Sequence, residues 1–94
     1  MISIKMYIVN HSEKSEEKVK LLIDALESVL GNDYDLEVLN VIEHPDFARQ
    51  DSVFATPTVI RTGPGPMRRI IGDMRDRTRV LLGLGLAQNG NSCC

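Results

Sequence analysis

The sequence predicts a small α/β domain with the element order βαβαββα. Residues 2–9 (ISIKMYIV) alternate in polarity, with Ile2, Ile4, Met6 and Ile8 on one side and Ser3, Lys5, Tyr7 and Val9 on the other. Val19, Leu22, Ile23, Leu26 and Leu30 recur at helical spacing inside residues 13–30. Residues 36–42 (LEVLNVI) form a second apolar strand. A helix of that length between two strands makes a right-handed parallel βαβ unit.

The elements follow in order. The first strand becomes less polar toward its end, so that end is expected inside the domain. Ser12 or Ser15 can cap the first helix, and Glu13, Glu16 and Glu17 suit the positive end of its dipole. Gly31 and Asn32 are expected to end it in left-handed conformation. His44-Pro45 opens a short helix reaching about Ser52, with Phe47, Ala48 and Val53 as its inward contacts. Ala55-Thr56-Pro57-Thr58 leads into the apolar pair Val59-Ile60, and two Gly-Pro pairs at positions 63–66 force a turn. Residues 67–72 return as a strand, and Asp73 or Asp76 caps a helix running to about Leu86. Residues 1–88 are read as one domain and 89–94 as a disordered tail. This order is that of a thioredoxin-like domain, and the resemblance implies a cis bond before Pro57.

Residues 80–86 carry a second message. Val80, Leu82, Leu84 and Leu86 fall at period two, which is a strand pattern, and Gly83 and Gly85 each cost a helix about 1 kcal/mol against alanine. Alanine at either glycine is therefore expected to favour whichever arrangement makes this segment helical.

Charge is lopsided. Up to Phe54 there are five basic and eleven acidic residues; beyond it, six arginines face two aspartates, for a net −2. Such a dipole favours oriented docking on a charged partner, or simply keeps the chain solvated. The arginines lack interleaved aromatics for base stacking, so no nucleic-acid partner is expected. No apolar run reaches membrane-spanning length, and the chain reads as cytoplasmic.

The chemistry expected is mostly negative. The loop Asn10-His11-Ser12-Glu13-Lys14 holds no cysteine where a thioredoxin-like oxidoreductase needs one at a helix N-terminus. Cys93 and Cys94 are adjacent at the end and read as free thiols of the tail. His11 and His44 lack metal-ligand spacing, and the prolines of Gly63-Pro64-Gly65-Pro66 remove the N–H groups that cradle phosphate. No catalytic residue, metal or cofactor is expected.

Ala55-Thr56-Pro57-Thr58, Pro64 and Pro66, Arg68-Arg69-Ile70-Ile71-Gly72-Asp73, Arg77 and Val80-Leu81-Leu82-Gly83-Leu84 resemble the KaiB family of circadian-clock proteins. Met6-Tyr7-Ile8, residues 34–41 and His44-Pro45 extend the resemblance over nearly the whole chain. It implies a non-enzymatic protein that binds the ATPase ring of a KaiC-type partner. It also implies two folds: a thioredoxin-like monomer that binds the ring, and a tetrameric ground state of order βαββααβ with its C-terminal half rearranged. Arg68, Arg69, Tyr7 and Ser52 are the expected partner-binding residues, and Pro57, Gly83 and Gly85 the expected switch positions. Gly85 stands where relatives carry aspartate, Ser52 where they carry lysine, and Glu17, Asp35 and Glu37 are acidic where relatives are basic or neutral. These departures leave KaiA binding, which uses the second-strand edge, unsupported. The alternative is a stand-alone thioredoxin-like adaptor or sensor in stress signalling.

Overall fold

The computed structural model describes residues 1–86, so the expectations for residues 87–88, the tail and the two cysteines lie outside the described residues. The elements run β1 (Ile2–Ile8), α1 (Glu13–Leu30), β2 (Tyr34–Asn40), α2 (Pro45–Gln50), β3 (Thr58–Gly63), β4 (Arg68–Ile71) and α3 (Arg77–Gly83). The expected order βαβαββα is the observed one. The four strands lie in the order β2-β1-β3-β4, with β1 and β2 parallel and the other two pairings antiparallel.

Alternation along β1 sorts the core into two layers. Ile4, Met6 and Ile8 face α1 and α3, where they pack with Leu22, Leu26, Val59, Ile70, Met74, Val80 and Leu84. Tyr7 faces the other way, with Leu39, Ala48 and Ile60, under α2. Burying both faces leaves the centre of β1 and β3 dry, as the sequence of Tyr7-Ile8 and Val59-Ile60 requires.

Local chemistry sets most boundaries. The Ser12 hydroxyl accepts from Ser15 N at 3.2 Å and caps α1, while Ser15, itself buried, donates to Val9 O at 3.0 Å. Gly31, at φ 62°, ends α1 with its N–H on Glu27 O. Asn32 is not in left-handed conformation, contrary to expectation. Pro45 begins α2, as its fixed φ and missing donor favour. Thr56-Pro57 is cis, and so is Gly63-Pro64.

Three expectations need correction. β2 starts at Tyr34 rather than Leu36 and stops at Asn40, because its register against β1 begins at Ile2↔Tyr34. After Asn40 the chain turns, with Asn40 Oδ1 accepting from both Asn10 N and Ile42 N at 3.0 Å. α3 starts at Arg77 behind an Asp76 cap and ends at Gly83 rather than near Leu86, since Gly85 takes φ 71°. Phe47 is not an inward contact: it is 46% exposed and stacks on His44 with ring centroids 5.3 Å apart.

Candidate interaction surface

Three of the four expected partner-binding residues converge on one place, and they meet there as internal fastenings. Tyr7 is fully buried, and its hydroxyl donates to Asp51 Oδ2 and lies 3.2 Å from Phe47 O. Burial first, then the Asp51 carboxylate, holds the Tyr7 phenol well above the ordinary tyrosine range. Lys5 Nζ lies 3.5 Å from the same Asp51 oxygen. From the far strand, Arg69 donates to the carbonyls of Asp51 and of Ser52, the latter at 3.0 Å. Ser52 sits there at φ 55°, a conformation that suits its place just past α2. Tyr7 thus has no surface to offer in this fold, and the Arg69 guanidinium is already committed. Arg68, the neighbouring residue of β4, falls on the opposite face of the strand and is exposed.

The arginine-rich half is largely turned inward in this sense. Arg61 donates to Leu84 O, Gly85 O and Pro64 O, and Arg79 donates to Ile71 O and Asp73 O. Arg75 pairs with Asp73 at 2.9 Å, which holds that carboxyl below its usual range. Arg68 and Arg77 carry no hydrogen bond or ion pair among the described residues.

The three residues expected as switch positions are also placed by packing. Pro57 is buried, and its carbonyl accepts from Gly72 N at 3.0 Å. A Cβ on Gly83 would overlap Ile70 Cγ2, far inside van der Waals contact. A Cβ on Gly85 would meet Arg68 Nε at 2.8 Å and Arg61 Nη1 at 3.2 Å. Gly83 is helical here, and alanine there would require Ile70 to shift, so sterics oppose the propensity gain on which the expectation rests.

A cleft of about 500 Å³ opens between α1 and the segment around Pro57, with Leu21 at its wall and Lys14, Lys18 and Asp73 on its rim. It lies beside the first turns of α1, where a redox thiol would be activated, but no cysteine or histidine lines it. Among the described residues no group of three or more His, Cys, Asp or Glu could hold a metal ion. No described helix is long and apolar enough to cross a membrane.

What the sequence reading missed is apolar. Phe54 is 93% exposed, and it flanks a groove of about 220 Å³ also lined by Val9, Val41, Val53, Ala55 and Thr56. Val9, expected inside, is 43% exposed, and Ile42, next to Val41, is 63% exposed. Val9 and Phe54 share this groove, and Ile42 follows its Val41 in the chain. The only sequence signal was Phe54 itself, a large apolar residue outside every periodic segment.

Comparison with protein families matches the KaiB domain over residues 5–86. The chain belongs to the KaiB family. The circadian clock oscillator protein KaiB of Prochlorococcus marinus is 42% identical over 83 residues, covering 88% of this chain and 70% of that protein. The circadian clock protein KaiB3 of Synechocystis is 35% identical over 89 residues, covering 95% and 87%. Among solved structures, the N-terminal domain of Synechococcus elongatus SasA superposes with a TM-score of 0.74 at 21% identity, covering 94% of this chain and 87% of that one. Mitochondrial thioredoxin 3 of Saccharomyces cerevisiae gives 0.69 at 20% identity, covering 89% and 76%. The fold of this KaiB-family chain is therefore thioredoxin-like.

Proposed function

We propose that this chain is a non-catalytic, clock-type regulator that docks on the ATPase ring of a KaiC-type protein in its thioredoxin-like arrangement. The observation that carries the reading is membership of the KaiB family along residues 5–86, in a fold with no cysteine at the end of β1. The apolar surface around Phe54, Ile42 and Val9 supplies the docking face, and Ser52 lies at its margin in the chain. Of the two adjacent arginines that open β4, Arg68 is the one without a hydrogen bond or ion pair among the described residues, and it supplies the cation. The acidic β2 residues Asp35 and Glu37 favour a regulator that works without KaiA.

Pro57, Gly83 and Gly85 remain the positions that tune a second, tetrameric arrangement of the C-terminal half. Purified chain incubated with a KaiC-type hexamer and nucleotide co-elutes with it in gel filtration. A hexamer peak free of this chain after long incubation rejects the assignment.

A further inference from the structure

We propose that Arg61 is a latch holding the C-terminal end of α3 against the sheet, and that its release lets residues 77–86 open while β1, α1 and β2 stay folded. Arg61 Nη1 lies 3.1 Å from Leu84 O and 3.3 Å from Gly85 O, and Nη2 lies 3.2 Å from Pro64 O. One guanidinium thereby joins β3, the β3–β4 turn and the two residues that follow α3, Leu84 and Gly85. The bonds are charge-assisted, and no other side chain donates to those three oxygens among the described residues.

The latch is not overbuilt. Arg61 Nε is buried without a hydrogen-bond partner among the described residues, a cost that offsets part of what the two terminal nitrogens gain. α3 is only seven residues long, so its own backbone bonds do not hold it in place. Its other end is clamped separately, by Arg79 on Ile71 O and Asp73 O. Gly85 completes the device: at φ 71° it turns its carbonyl to Arg61, and a side chain there would press on Arg68 and Arg61 together. Val80 and Leu84 seat the segment in the core, and Arg61 is the one side chain that hydrogen-bonds its C-terminal end, so losing that bond lowers the free energy of local opening below that of global unfolding.

The inference does not depend on ring docking, and its test uses the isolated full chain. Native-state amide exchange is followed by NMR for wild type, Arg61→Ala, Arg61→Lys and Arg68→Ala. Arg61→Ala speeds exchange of the Leu82, Leu84 and Leu86 amides by about tenfold or more, the loss expected for charge-assisted bonds. The amides of Met6, Ile8 and Leu26 change by less than about twofold, because opening is local. Arg61→Lys keeps the charge without the fork and shows the same local pattern to a smaller extent. Arg68→Ala, which removes a neighbour with no hydrogen bond, leaves α3 exchange unchanged. Equal acceleration throughout the chain in both Arg61 variants, or unchanged α3 exchange in either, overturns the proposal.

Discussion

Gly83 of α3 packs directly against the Ile70 side chain of β4, leaving no room for a Cβ between helix and sheet. Helix propensity and packing therefore pull in opposite directions at this position. Alanine gains about 1 kcal/mol of propensity over glycine. Overpacking a core costs about 1–3 kcal/mol, and Ile70 is buried and β-branched, so it yields little. Gly83→Ala lowers the unfolding free energy of this arrangement in a urea titration. Adding Ile70→Ala, which removes the obstructing Cγ2, makes the pair less damaging than the sum of the two single changes.

Tyr7→Phe separates the buried hydroxyl from its packing. The ring still fills its place under α2, but Asp51 loses a donor, at a cost of about 1–3 kcal/mol. The pH dependence has a definite sign. The folded protein raises the Tyr7 pKa, so its contribution is fully present below the ordinary tyrosine value and is lost as pH rises through the folded value. Wild type therefore loses stability above about pH 10, and Tyr7→Phe is flatter there in the same titration.

Arg69→Ala cuts the tie between β4 and the residues following α2. The carbonyls of Asp51 and Ser52 lose their donor, but they lie near the surface where water replaces it. A loss of about 1 kcal/mol in thermal or urea unfolding is expected. Amide shifts in β4 and around Asp51 change together, while those of α1 do not.

Phe54→Ala and Ile42→Ala leave stability within about 0.5 kcal/mol, as expected for exposed side chains outside the core. Each weakens ring binding by about tenfold or more. Isothermal titration against the hexamer, with urea unfolding of the same variants as control, measures both quantities.

Residues 13–30 show what could be read from local pattern. The bounds of α1 and the shared facing of Ile4, Met6 and Ile8 follow from spacing, and capping chemistry narrowed the helix cap to Ser12 or Ser15, of which the fold uses Ser12. β2 was placed two residues late at both ends: Tyr34, Leu36 and Val38 alternate with Asp35 and Glu37 and pack on the core, and pairing with Ile2 and Ser3 brings Tyr34 and Asp35 into the sheet. The ambiguous residues 80–86 take the helical side up to Gly83, where burial of Val80 and Leu81 outweighs period two.

The interaction surface was the least legible part. Arg61, Arg69 and Arg79 each satisfy carbonyls brought close only by the tertiary fold, so composition alone showed a basic cluster where there are fastenings. Tyr7 meets Asp51 across 44 positions of sequence, and no local pattern encodes that meeting. Phe54 was legible as a residue but not as a surface, because its exposure follows from where the turn before β3 leaves the sheet.

The most direct test of ring docking by this arrangement is hydrogen exchange on the chain alone and bound to a KaiC-type hexamer. The account predicts that peptides spanning residues 41–55 become protected in the complex, with Phe54→Ala reducing the effect at equal concentrations. A complex that leaves those peptides as exposed as in the free chain, or no complex at all, would contradict it.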